Sequence, residues 1–200
     1  MNPMNTLPLQ VTFAATLVVV AGALWVGADA RGGTRAAIRR AILALDRATT
    51  GAASVAACLA LAVAVLAGFW QVLARFATET PSVWSEALVR MALIWMAYLG
   101  VAVALRVGAL VSIDVAHRYA RGAVRRAVEA AALACSLSFM GVMFWFGWTM
   151  AQRVQFQEMA GLEVSMSWGY AAIPVGAVFA MIGAVAQFLD HRSAELESAV

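Results

Sequence analysis

The sequence predicts an all-α integral membrane helix bundle, with four core transmembrane helices, one extra N-terminal transmembrane helix and amphipathic interfacial helices. Three observations carry that prediction. The 200 residues are 64% hydrophobic and 12% charged, with a mean hydropathy of +0.83, whereas globular chains are roughly half apolar and about a quarter charged. The apolar residues come in unbroken blocks rather than in an amphipathic period. The basic residues, all arginine, alternate in density from one connecting segment to the next.

A bilayer core about 30 Å thick needs about 20 apolar helical residues. Val11 to Ala28 is the first block of that kind and the shortest. No basic side chain precedes it in "MNPMNTLPLQ". A secretory signal carries a positive flank there, so the block is expected to be a retained span. Next comes "TRAAIRRAILALDRA", with Arg35, Arg39, Arg40 and Arg47 on one side of a helix and Ala37, Ile38, Ala41, Ile42 and Leu45 on the other. Such a helix can lie in the headgroup plane with arginine at anionic lipid. Four further spans follow: Ala52 to Leu73, Ala87 to Leu105, Ala130 to Ala151 and Trp168 to Leu189. "HRYARGAVRRAVE", with Arg125 and Arg126, repeats the basic amphipathic pattern before the fourth span. The division expected is 1–30 for the extra span, 31–50 for the basic segment, 51–190 for the four-helix domain and 191–200 for a tail.

Short cytoplasmic loops collect arginine. The segment after the first span holds Arg31, Arg35, Arg39, Arg40 and Arg47, and that after the third holds Arg106, Arg118, Arg121, Arg125 and Arg126. The intervening segments hold Arg75, Arg90 and Arg153 against Glu79, Glu86, Glu158 and Glu163. The expected orientation puts the N-terminus outside and the C-terminus in the cytoplasm. Trp70, Trp84, Trp145, Trp148, Trp168 and Tyr170 all fall near the expected outer face, as an aromatic belt does. Small residues mark expected helix contacts: Ala52, Ala56, Ala60, Ala64 and Gly68; Gly100, Ala104 and Gly108; and Ala172, Gly176, Ala180 and Ala184. Pro174 lies early in the last span, where a missing N–H is tolerated.

The spans hold little chemistry. An ion-driven carrier working alone needs ionisable groups at mid-membrane, and no Asp, Glu, His, Lys or Arg lies within 52–73, 91–105, 130–151 or 168–189. His117 and His191 lie outside the spans, so haem ligation, which wants histidines within the bundle, is not expected. Cys58 and Cys135 have no ligand-like neighbours and read as packing residues. No nucleotide loop, zinc motif or nucleophile elbow appears. The residues argue against an enzyme, and neither a cofactor nor a nucleic-acid partner is expected. Glu86 and Arg90 stand one turn apart at the start of the third span and share a helix face. They form either a self-contained pair or one that also reaches a neighbouring subunit.

Several of these features occur together in one family. "QVLARF" (Gln71, Val72, Arg75), then "PSVWSEALVRMALIWMAYLGVAVALRVGALVSID" with Pro81, Trp84, Glu86, Arg90, Ile94, Trp95, Gly100, Arg106, Gly108 and Asp114, and finally "WGYAAIPVG" around Pro174, follow one another over Ile38 to Leu189. In this order and spacing the chain resembles the small membrane subunit, of the DctQ type, of tripartite ATP-independent periplasmic (TRAP) transporters. It departs from that pattern at Ala87 and Leu110, where an acid and a histidine are usual, and in the added span of residues 1 to 30. The resemblance implies a non-catalytic scaffold in the bacterial inner membrane, with those motif residues serving structure or subunit contact. It implies two protein partners: a large elevator-type subunit that carries Na⁺ and solute, and a periplasmic binding protein that delivers a small organic acid. The alternative is an autonomous small carrier or exporter, which needs a carboxylate within its spans.

Overall fold

Long apolar stretches have no better way to satisfy their backbone groups in a bilayer than helix. In the computed structural model, which describes residues 7–26, 34–77, 82–107 and 123–198, they form five long helices and one short one. These are α1 (Leu7–Val26), α2 (Thr34–Ala77), α3 (Val83–Val107), α4 (Ala123–Arg153), the single-turn α5 (Ser167–Tyr170) and α6 (Ala172–Ser198). All five long helices are long and apolar enough to cross a membrane, and together they make an all-α membrane bundle.

The basic segment and the second span are one helix. α2 has 44 residues, about 66 Å at 1.5 Å per residue, and it runs through position 50 without a break. The run Thr49–Thr50–Gly51 reads as a joint, but Thr49 Oγ1 donates to Asp46 O at 3.0 Å and Ser54 Oγ to Thr50 O at 2.8 Å. Hydroxyls bonded back onto the preceding turn remove the usual conflict of Ser and Thr with helix. The second basic segment likewise continues into α4 from Ala123, and α6 runs past Asp190 to Ser198.

α6 is the centre of the bundle. α3 and α4 flank it, α2 lies against α3 and α6, and α1 lies chiefly against α4. Two apolar clusters hold this order. One joins Val20, Ala23 and Val26 of α1 to Leu133 and Leu137 of α4 and to Ala184, Phe188 and Leu189 of α6, with Ile42 of α2 beside it. The other joins Ala102 and Leu105 of α3 to Met140 of α4 and Ala177 and Ala180 of α6. The helices alternate in direction. Arg106 therefore lies at one end of the bundle and Trp84 at the other.

The small-residue stripe of α6 is buried as expected: Ala172, Gly176, Ala180 and Ala184 all face neighbours. A methyl on Gly176 would stand 2.7 Å from Tyr98 Cβ and 3.0 Å from Tyr98 O, so only glycine admits α3 this closely. The other two stripes differ from expectation. On α2 the stripe holds only in its second half, with Ala64 buried and Ala60 and Gly68 half-buried, whereas Ala52 and Ala56 are exposed and Ala53 and Ala67 are buried beside it. On α3, Ala92, Leu99, Ala102 and Leu105 are buried, whereas a methyl on Gly100 would meet open space. An alanine-rich helix offers several small-residue stripes, and only packing selects one.

Pro174 explains the step between α5 and α6. It cannot donate to Tyr170 O, and its ring crowds that carbonyl. The helix therefore restarts at Ala172, with Val175 N donating to Ala171 O at 3.2 Å. Residues 154–166 fold into a small lobe at the Trp84 end. Met159 N donates to Val164 O and Met166 N to Gln157 O, both at 2.8 Å, and Glu158 bridges Ser165. The turn uses Gly161 at φ +88°, a left-handed conformation that favours glycine, and an added methyl there would strike Trp84 N and Val83 at 2.9 Å. This close approach seats the lobe on the first turn of α3.

Candidate functional site

The described charges that pair across helices gather at the Arg106 end. Arg106 lies in the last turn of α3, where a cation also suits the helix dipole. Its Nε donates to Asp46 Oδ2 of α2 at 2.5 Å, and its Nη2 donates to Asp190 Oδ2 of α6. One guanidinium thus ties three helices. Asp46 is only 1% exposed, while Arg106 is 23% and Asp190 40% exposed. The second oxygen of Asp46 accepts from Thr50 Oγ1 at 3.1 Å, so both ends of the buried carboxylate are satisfied. α6 reaches Arg106 because Gly183 leaves room: a methyl there would lie 3.3 Å from Arg106 Cβ and 3.5 Å from Ala102 O.

Charge-assisted bonds of this kind are stronger than neutral ones, and in a low-dielectric setting loss of one partner is costly. The arrangement fixes helices. Both carboxylates are engaged by one guanidinium, at the bundle's end rather than its middle.

The Trp84 end is built differently. Arg90 Nη2 donates to Glu86 Oε1 one turn away, with side chains 71% and 56% exposed. Ser85 is wholly buried beneath this turn and bonds back to Ser82 O at 2.9 Å. Glu86 and Arg90 line a shallow notch of about 310 Å³, walled by Met159, Ala160 and Met166 of the lobe. Trp95 Nε1 donates to Trp168 O at 3.1 Å, which ties α3 to α5. Trp70, Trp84, Trp145, Trp148 and Trp168 keep between 44% and 62% of their surface open at this end.

The residues singled out from sequence therefore scatter. Arg106 enters the three-helix tie, Glu86 and Arg90 pair with each other, Trp95 reaches Trp168, and Pro174 is buried at the start of α6 against α4, near Gly147. Trp84 backs onto Gly161, Arg75 is exposed in the last turn of α2, and Gly100 is uncrowded. Arg39 is half-buried and Arg40 exposed on α2. The side chains of Arg35, Arg125 and Arg126, and all of Gly108 and Asp114, lie outside the described residues, as do Glu79 and Pro81.

Sequence reasoning missed Asp46 and Asp190. Asp46 sits among arginines in an amphipathic segment and reads there as solvated charge, and Asp190 falls one residue past a span. A signal existed. Alternating spans put Asp46, Arg106 and Asp190 at the same end of three helices, and one cation near two anions at the edge of a bilayer calls for pairing.

Comparison with known proteins adds an independent finding. The family model described as "Tripartite ATP-independent periplasmic transporters, DctQ component" matches residues 64–193. A curated relative, the sialic acid TRAP transporter small permease protein SiaQ of Vibrio cholerae serotype O1, is 34% identical over 114 residues. That alignment covers 55% of this chain and 64% of the relative, so it spans a little under two thirds of the relative's length. The family match takes in all of α3, α4 and α5, but not α1 or the basic half of α2.

Proposed function

Because the chain belongs to the DctQ family of TRAP transporter small permease subunits, we propose that it acts as a non-catalytic brace for a large, elevator-type membrane subunit. In this reading the large subunit couples Na⁺ to uptake of a small organic acid, which a periplasmic binding protein delivers. The orientation proposed places the Arg106 end and the C-terminus in the cytoplasm and the tryptophan-rich end outside.

One observation carries the scaffold reading. Asp, Glu, His, Lys and Arg are absent from 52–73, 91–105, 130–151 and 168–189, so these stretches offer no carboxylate, imidazole or cation to bind and release a coupling ion at mid-membrane. Asp46, Arg106 and Asp190 pair across helices and hold them to one another. The exposed aromatic and aliphatic surface of α2, including Leu66, Phe69 and Phe76, is suited to lipid and to a partner's helices. Arg39 and Arg40 are proposed to face lipid headgroups, together with Arg35, Arg125 and Arg126.

Reconstitution tests the reading. Proteoliposomes holding this chain alone should show no Na⁺-driven uptake, with sialic acid as the first solute to try. Vesicles holding it together with the large subunit, and supplied with the binding protein, should accumulate solute when Na⁺ is applied outside. Uptake by the chain alone would overturn the scaffold role and favour an autonomous carrier.

A further inference from the structure

We propose that a recess between α2 and the end of α3 binds the phosphate of an anionic glycerophospholipid. The recess measures about 440 Å³ and is lined by Asp46, Arg47, Thr50, Gly51, Ser54 and Arg106. Its hydrogen-bonding capacity is unbalanced. Asp46 accepts from Thr50 and Arg106, and Ser54 donates to its own helix. What remains is chiefly guanidinium N–H. Arg47 is exposed and, among the described residues, has no hydrogen-bonding or ion-pair partner. A guanidinium carries five N–H donors, and only two of the nitrogens of Arg106 are engaged. An acceptor with several oxygens and negative charge completes such a set, and arginine meets phosphate in the same forked geometry as carboxylate.

The surface beyond the recess selects a lipid over a free anion or an acidic side chain. Arg47, Gly51, Ser54, Cys58, Leu61 and Val65 fall on one face of α2, since the step of 18 positions from first to last completes five turns. Gly51 and Ser54 leave a shallow track beside Arg47, while Leu61 and Val65 are 46% and 61% exposed further along it. A head site with one uncompensated arginine, leading directly onto an open apolar helix face, matches a molecule with a phosphate at one end and an acyl chain at the other. Basic pockets between transmembrane helices bind lipid headgroups in this way. The inference rests on the lipid-facing reading of the α2 arginines and adds a defined site to it.

The test is native mass spectrometry of the full chain in detergent, titrated with phosphatidylglycerol, phosphatidylcholine or inorganic phosphate. The wild type should retain one phosphatidylglycerol about fivefold or more tightly than phosphatidylcholine, the weight of one arginine near a membrane phosphate. Arg47→Gln should lose that preference with helicity unchanged, and Arg47→Lys should keep part of it. Inorganic phosphate should not displace the lipid. Displacement by phosphate alone would overturn the lipid identity. A preference retained in Arg47→Gln but lost in an Arg39→Gln/Arg40→Gln double variant would overturn the recess and leave the lipid-facing reading intact. No preference in the wild type would overturn both. Unchanged lipid binding by Arg47→Gln, with loss of co-purifying large subunit, would assign the recess to a protein partner instead.

Discussion

Asp46 and Glu86 each accept from an arginine, yet burial gives the two bonds different weight. Asp46 is 1% exposed and its pair joins helices 60 residues apart in sequence. Stranding one member of a buried pair costs about 3–5 kcal/mol. Arg106→Ala, which strands the buried Asp46, should therefore lower thermal stability in detergent far more than Asp190→Ala, which leaves the Asp46–Arg106 pair intact and removes a carboxylate 40% exposed. In a double-mutant cycle of Asp46→Ala with Arg106→Ala the losses should fall short of additivity by about 1 kcal/mol or more. Tryptophan fluorescence during heating measures both; strict additivity would contradict the tie. Glu86 and Arg90 are exposed neighbours on one helix, a class worth about 0.3–0.5 kcal/mol. Glu86→Ala or Arg90→Ala should leave the isolated chain's unfolding within that margin, so any larger loss of recovered complex reports a contact with a partner. In the complex, the Glu86→Ala/Arg90→Ala double variant should lose less than the sum of the two singles.

At the scale of helices, hydropathy located each long helix among the described residues, because about 20 apolar residues in a row have few other fates. It did not locate the joints. α2 runs through Thr50–Gly51 because its hydroxyls bond backward, and α6 begins late because Pro174 stops the turn before it. Nor did composition choose among small-residue stripes, since the choice depends on which neighbour arrives. Two glycines one helix apart test the packing that results. Gly176→Ala drives a methyl into Tyr98 and should cost about 1–3 kcal/mol by overpacking. Gly100→Ala meets open space and should be neutral or slightly stabilising, as Ala replacing Gly within a helix gains about 0.5–1 kcal/mol. Parallel thermal unfolding of the two variants checks the contrast, and equal effects would mean that α3 and α6 do not approach as described.

Across the whole molecule, the family match begins within α2, and α1, which it does not cover, fastens to α4 and α6 through Val20, Ala23 and Val26. Removal of residues 1–30 should expose Leu133 and Leu137 and lower the unfolding temperature. The remaining four long helices keep their mutual contacts and should still fold with native-like near-ultraviolet dichroism. The same variant should still co-purify with the large subunit, because the helices shared with the family are untouched. The architecture was legible in the sequence as a set of spans. The three-helix tie was half legible: Arg106 stood out as a cation at the end of a span, while its two aspartates hid at the edges of theirs.

The central position of α6 has a consequence for how the protein is made. Every long neighbour of α6 precedes it in the chain, so α1 to α4 leave the ribosome before the helix they surround. Until α6 inserts, Arg106 lacks its Asp190 partner, and the faces of α3 and α4 that will meet α6 are open to lipid or to a chaperone. Assembly is therefore a late closing event, and a nascent chain stalled before residue 171 should be the form that membrane quality-control proteases recognise.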